Sequence, residues 1–366
     1  MKYFFRGVGG AAVALTTMSL LLAGCSSGGG LSALSSSSIA PTTSSLSSPL
    51  PPPPTPTPTP IPEPAPVPPP EPVPPPPPPV DALTGGAVND GPVVAAKIDN
   101  TNSGLPHFGI TAADIVYVEQ VEGGLTRLLG VFHTNLPTEV GAIRSVRTTD
   151  AELLPTFGIP ALAFSGGGGV PLDALHATTT IAVEQEAGAG GFWRSNAAAE
   201  PYNLHANIEQ ITASTPGLSP ARNIGFTFIA GDPRVDGGAG ASSLAVQFQA
   251  ARVEFSFQDG TYHLQGRGSQ DAIGGQIVTD NVVFQNIDFQ PDGEYDSVGS
   301  PSYISHTVGN GTFTLFRDGH AIQGSWSRPA LDQPTQFLDA AGAPVPFKPG
   351  KTWVALVPSS ASTEYS

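Results

Sequence analysis

Apolar positions fall along this chain in three different rhythms, and each predicts a different kind of structure. The first 24 residues carry Lys2 and Arg6, then an apolar stretch through Val13, Leu15, Leu20, Leu21 and Leu22, broken by Gly7, Gly9, Gly10, Thr16 and Thr17. A stable bilayer span needs about 20 consecutive apolar residues, so this stretch reads as an export signal. Residues 26–48 are nearly all Ser, Gly, Thr, Ala and Leu, and residues 49–79 are dominated by proline. No apolar face repeats there, so no core can form. Beyond Pro92 the pattern turns globular. Val93–Ile98 predicts a strand ending at Asp99-Asn100, Ile115–Glu119 a second, and Thr126–Thr134 a third, with a turn at Glu122-Gly123-Gly124 between the last two.

Thr149-Asp150-Ala151-Glu152 has the form of a capping box, which predicts a helix starting at Thr149 that Pro155 keeps short. Pro160–Phe164 predicts a buried strand running into Ser165 and four glycines, and Leu204–Ala213 a helix capped by Asn203. Gly231–Ser243 reads as a linker. After it come short strands at Ala251–Phe257, Thr261–Gln265, Gln276–Phe284, Thr312–Arg317 and Thr352–Val357, separated by turns such as Gln258-Asp259-Gly260. The fold class this implies is α+β. A mixed α/β domain over 81–235, its sheet covered by helices, precedes a smaller, mainly antiparallel β domain over 236–366.

The apolar signal ends in Leu22-Ala23-Gly24-Cys25, the form of a bacterial lipobox, which predicts lipidation of Cys25 and removal of residues 1–24. Cys25 is the single cysteine, so the mature chain has no disulfide, thiolate metal site or cysteine nucleophile. Residues 25–80 then form a stalk: a Ser/Gly leader followed by a proline block. At about 3.1 Å per residue in polyproline II, the block spans roughly 90–100 Å. The charge is acidic, 30 Asp and Glu against 15 Lys and Arg, and since residues 1–80 hold two of each sign the imbalance lies in the folded part. Such a body argues against nucleic acid as a partner.

Arg144 and Arg147 are the sharpest chemical signal. They lie three residues apart just before the predicted helix at Thr149, where two guanidiniums grip a phosphate or carboxylate well, and Arg127 on a preceding strand can join them. The competing expectation, and the preferred one, is a structural network with Asp99, Asp114, Glu119 or Glu122. Ser165 and its glycines lack the lysine of a P-loop and the Gly-x-Ser-x-Gly of a nucleophile elbow, so a flexible turn is expected. None of the seven histidines sits at metal-ligand spacing; His133 is expected to be a hydrogen-bonded core residue. Asp292-Gly293-Glu294-Tyr295-Asp296 lacks the spacing of a calcium loop, and Trp326 and Trp353 are expected to be core anchors.

Six stretches in order resemble the YerB-like lipoproteins of bacteria, a family of unknown function: Val94–Asn100, Ala113–Tyr117, Glu122–Arg127, Val140–Arg147, Gly324–Arg328 and Pro349–Val354. The resemblance covers nearly all of residues 81–358 and implies a two-domain envelope lipoprotein without supplying a reaction. One departure stands out: where the family reads His-Asn-Leu-Tyr, this chain has Tyr202-Asn203-Leu204-His205. The order of strand, acidic residue, strand and arginine loop also has a faint likeness to the LytR–CpsA–Psr transferases, at the level of fold analogy alone.

The functional expectation is a non-enzymatic binding module on the outer face of the cell membrane. Its lipid anchor holds it to the membrane, and it engages peptidoglycan or a cell-wall synthase. Arg127, Arg144, Arg147, Asp99, Asp114, Glu119 and Asn203 are the candidate ligand-binding residues. No cofactor or metal is expected. Magnesium enters only under the alternative of a phospho-glycan enzyme, and a solute-binding lipoprotein is the third class.

Overall fold

In the strands β1 (Val94–Asp99), β2 (Ile115–Gln120) and β3 (Thr126–Phe132) every residue is buried, so both faces of the sheet they form must be covered. Alternation along these strands then decides what goes where. Ala96, Ile98, Val116, Val118 and Leu128 point into one apolar cluster, and Ala95, Tyr117, Leu129 and Val131 into another on the opposite face. Lys97, Asp99, Glu119 and Arg127 share the second face, because each lies two residues from, or in register with, a member of it. The structure, a computed structural model, describes residues 51, 52, 54, 79–196, 198–296 and 298–366. The lipobox, Cys25 and most of the stalk lie outside them. The chain divides into two units, Met1–Val73 and Pro74–Ser366, and the strands and helices all belong to the second among the described residues.

Further elements complete the first half: β4 (Val140–Gly141), α1 (Thr148–Leu153), β5 (Ala161–Phe164), α2 (Gly169–His176), β6 (Ile181–Glu184), β7 (Phe192–Arg194), β8 (Leu204–Ala206), α3 (Ile208–Ser214) and α4 (Pro233–Asp236). The second half contributes β9 (Ser243–Gln247), β10 (Arg252–Gln258), β11 (Thr261–Leu264), β12 (Asn281–Tyr295), β13 (Pro301–His306), β14 (Gly309–Arg317), β15 (His320–Arg328), β16 (Thr352–Pro358) and β17 (Ser362–Tyr365). Among the described residues the large sheet runs β15-β14-β12-β16-β2-β3-β1-β5-β6. The two halves are joined through it, because β16 pairs in parallel with both β12 and β2. A second sheet, β11-β10-β9-β17, packs Leu244, Val246, Val253 and Phe255 onto the first cluster, while Ala151 and Leu153 of α1 and Leu175 of α2 cover the second. The protein is therefore mixed α and β with strands in the majority.

Several expected boundaries move for local reasons. α1 starts at Thr148, one residue early. Asp150 Oδ2, rather than Thr149, secures its first turn by accepting from the Arg147 amide at 2.8 Å, and the Thr149 hydroxyl instead accepts from Ser305 N at 2.9 Å. The α-helix does end before Pro155. Leu204–Ala206 is not helical: it is the buried middle strand of β4-β8-β7, and α3 begins only after Asn207, whose Oδ1 accepts from Gln210 N at 2.8 Å. Asn203 is thus no cap. The expected linker at Gly231–Ser243 holds α4, capped by Asp232 with Pro233 in its first turn. Trp326 and Trp353 are 2% and 4% exposed and anchor the interior as expected, and the indole of Trp326 donates to Asn286 O at 2.8 Å.

At the start of the folded unit Asp81 is 1% exposed and works as a clasp. Its Oδ1 accepts from Leu83 N, Thr84 N and Thr84 Oγ1 at 3.1, 2.8 and 2.7 Å, and its Oδ2 lies 2.9 Å from His133 Nε2 at the end of β3. Burial pushes its carboxyl up, but the hydrogen bonds from Thr84, Leu83 and His133 outweigh that and hold it below the ordinary value. A depressed carboxyl contributes stability that is complete above the unfolded value near 4 and disappears as pH falls through the folded value. Asp81→Asn is expected to lower stability by about 1–3 kcal/mol at neutral pH, and the gap from the native chain to close in acid. Urea melts of both proteins at pH 7 and pH 3 check this.

Candidate functional site

The row Asp99, Arg127 and Glu119 crosses three strands in register, Asp99 opposite Arg127 and Arg127 opposite Glu119, at the carboxyl ends of β1 and β2. Three alternating charges in line predict mutual pairing, but only Asp99 and Arg127 pair, at 3.6 Å. Glu119 turns to Lys97, which also holds Asp150 Oδ1 at 2.7 Å; Lys97, Glu119 and Asp150 are 0, 2 and 1% exposed. Burial pushes the Glu119 carboxyl up, Lys97 pulls it down and Asp150 pushes it up again, and the net direction is upward. This buried trio pins α1 to the sheet. Sequence reading passed over Lys97, although a lysine inside an all-apolar strand is itself a signal that carboxylates must meet it.

Main-chain bonds hold the loop from Ile143 to Arg147: Ile143 N donates to Leu204 O, Arg144 N to Lys97 O, Ser165 N to Arg144 O, and Val146 N to Gly166 O, at 2.7, 2.9, 3.0 and 3.0 Å. It is wedged between the end of β1 and the glycine loop after β5. That wedge brings Arg144 and Arg147 beside Arg127. Asp99 Oδ2 accepts from Arg144 Nη1 at 2.6 Å and lies 3.6 Å from Arg127 Nη2, while Glu122 Oε2 takes Arg147 Nη2 at 2.7 Å and Nε at 3.2 Å. Arg144 also lies 5.0 Å from the ring centre of Tyr202.

The three arginines form the floor of an open cleft of about 520 Å³. Gly166, Gly167 and Gly168 form one wall, and Glu186, Glu294, Asp296 and Ser302 stand around it. The turn expected at Ser165–Gly169 leads into α2 and lines the cleft, and Asp292–Tyr295, which lacks calcium-loop spacing, is the end of β12 and supplies part of the rim. Glu294 Oε2 already accepts from Val170 N at 3.0 Å, filling the N-terminus of α2. Gly168 permits this approach, since a Cβ there would lie 2.6 Å from Glu294.

Arg127 is the unusual member. It is 6% exposed, its Nη1 donates to Thr126 O at 3.1 Å, and its Nε is buried with no hydrogen-bond partner among the described residues. Burial lowers its pKa, Asp99 raises it, and the neighbouring charges of Arg144 and Arg147 lower it again; the net direction is down. A buried guanidinium with an idle donor, beside two like charges, is an arrangement that an anion would relieve.

Two candidates fall elsewhere. Asp114 lies at the opposite end of β2 from Glu119, roughly 17 Å along the strand by its rise per residue, and accepts from His133 N and Thr134 N at 2.8 Å each. Burial holds its carboxyl above the ordinary value. Asn203 ties the β7–β8 hairpin, its Oδ1 accepting from Arg194 Nη1 and its Nδ2 donating to Ser195 O, both at 3.0 Å. Among the described residues no group of three or more His, Cys, Asp or Glu is placed to hold a metal ion.

Comparison with known proteins adds the family. Residues 82–221 match the model described as "Protein of unknown function (DUF3048) N-terminal domain", and residues 244–354 match its C-terminal counterpart. The chain is 25% identical over 289 residues, 72% of its length and 81% of the relative's, to YerB of Bacillus subtilis (strain 168), whose name describes it provisionally as a lipoprotein. The crystal structure of Bacillus subtilis YerB shares the fold, with a TM-score of 0.64 at 20% identity, over 78% of this chain and 99% of that one. With both domains present in order on the matching fold, the chain belongs to the YerB-like DUF3048 family.

Proposed function

We propose that this chain is a lipid-anchored envelope protein, tethered through Cys25 to the outer face of the cell membrane. Its cleft over Arg127, Arg144 and Arg147 binds an anionic group of cell-wall material. The lipobox at Leu22–Cys25 and the name of the Bacillus relative support the anchor, and the stalk over 25–80 would lift the fold off the membrane. The two domains expected from sequence, 81–235 and 236–366, would act as one body, since β16 joins their strands.

The observation that carries the binding reading is the convergence of Arg127, Arg144 and Arg147 on one open cleft. Arg144 strengthens it, because Nη1 is its one guanidinium nitrogen engaged with a described residue through a hydrogen bond. The rim carboxylates favour a ligand that pairs its anion with amines or hydroxyls, as the peptide-bearing sugars of peptidoglycan do. A metal-dependent enzyme finds less support: Asp99 is taken up by arginines, and Asp114 lies at the far end of its strand.

Calorimetric titration of the full chain in detergent with N-acetylmuramyl dipeptide, and separately with pyrophosphate, tests the reading. Binding of at least one is expected, and Arg144→Ala should weaken it about tenfold, the worth of one charge-assisted hydrogen bond of about 1.5 kcal/mol. Absence of heat with both, or an affinity indifferent to Arg144, would overturn it.

A further inference from the structure

The small sheet β4-β8-β7 assembles a second constellation, away from the arginine floor. His205 sits in the central strand, opposite Gly141 on one side and Trp193 on the other. Strand alternation places residues two positions away on the same face. Glu139, two before Gly141, and Ser195, two after Trp193, therefore flank the imidazole diagonally from its two neighbours. The distances follow: Glu139 Oε1 is 2.7 Å from His205 Nδ1, and Ser195 Oγ is 3.1 Å from His205 Nε2. Gly141 makes room for the ring, since a Cβ there would lie 2.9 Å from its carbons, and Phe108 covers it at 4.6 Å between ring centres.

The chemistry is directional. A carboxylate can only accept, so Glu139 holds the proton on Nδ1 and leaves the Nε2 lone pair facing the serine hydroxyl. His205 is 1% exposed, whereas Ser195 is half-buried between exposed Arg194 and Asn196, so the serine lies nearer the surface than the imidazole. Asn203 fixes its backbone on both sides, accepting from Ser195 N at 2.8 Å and donating to Ser195 O at 3.0 Å. A merely structural histidine would be satisfied by either contact. This one has an acid at one ring nitrogen and a hydroxyl at the other.

We propose that Ser195 is an activated nucleophile toward acyl esters, with His205 as its base and Glu139 as the positioning residue. Ser195 Oγ bonds to the acyl carbon as its proton passes to His205 Nε2. The ester C–O bond breaks, and the departing alcohol takes that proton. Water then releases the acyl group by the same steps, restoring the hydroxyl. Exposed Trp193 offers an apolar platform beside the serine for the acyl or alcohol portion.

The test treats the full chain in detergent with a fluorophosphonate probe, whose phosphorus bonds to Oγ as fluoride leaves, followed by peptide mapping and by hydrolysis of p-nitrophenyl acetate. Labelling at Ser195 and ester turnover are expected, both lost in Ser195→Ala. Glu139→Gln changes a partly exposed residue and should leave the melting temperature near native while slowing labelling at least tenfold. His205→Gln should abolish labelling, with circular dichroism confirming a folded chain. An unlabelled Ser195 in the folded native protein, or a rate unmoved by Glu139→Gln, would overturn the proposal.

Discussion

Lys97→Met is expected to destabilise the fold by about 3–5 kcal/mol, because it removes the cation and leaves Glu119 and Asp150 facing each other in the interior. The three groups are almost fully buried, so water cannot compensate. The loss has a second component: Asp150 also accepts from the Arg147 amide, so a displaced carboxylate loosens the start of α1 and the wedge that carries Arg144. Adding Glu119→Gln to Lys97→Met should recover part of the loss by removing one of the stranded charges. Chemical denaturation of the two variants beside the native chain measures both effects. A double variant less stable than the single one would show that the trio's charges do not govern its energetics.

Arg328→Ala should cost a comparable amount, about 3 kcal/mol or more. This guanidinium is 0% exposed and makes no ion pair among the described residues; it is held by oxygen acceptors alone. Nε donates to Gln333 O at 3.1 Å, Nη1 to Thr307 Oγ1 at 2.9 Å, and Nη2 to Glu152 O at 2.9 Å and to Leu331 O. Truncation leaves the last carbonyls of α1 and the loop after β15 unsatisfied, at about 1–3 kcal/mol for each group that water cannot reach. Burial already lowers its pKa. Arg328→Lys should rescue little, since one ammonium cannot reproduce a planar fork that reaches acceptors on separate segments. Thermal melts of both variants decide the point.

Much of this was legible in the sequence, and the failures have physical causes. The strands β1, β2 and β3 and the turn at Glu122–Gly124 show themselves through apolar runs broken by glycine. The same signal fails at Leu204–Ala206, where three buried residues fit a helix as well as a strand and only pairing with β4 and β7 decides. The joining of the halves was invisible, because β16 pairs with β2 more than 200 positions earlier and nothing local encodes that register. Arg127, Arg144 and Arg147 were found by their type and spacing, and they converge. Each meets a carboxylate, as the structural reading expected, and each also lines an open cleft. Asp114 was misplaced because a strand separates its two ends by most of its length. His205 showed in the sequence only as a departure from the family's order; Ser195 and Glu139 gave no signal until the sheet set them diagonally beside it.

We propose the arginine floor as a ligand site rather than a piece of scaffolding. Melting temperatures of the native chain and of Arg144→Ala, each with and without N-acetylmuramyl dipeptide or pyrophosphate, test it most directly. Asp99 is fully buried but keeps Arg127 and the Thr101 amide when Arg144 is removed, so the variant is expected to lose about 1–3 kcal/mol and stay folded. The native protein is expected to show a ligand-induced rise that the variant loses. A variant that melts far lower, together with a native protein that no ligand shifts, would contradict it and make the arginines structural.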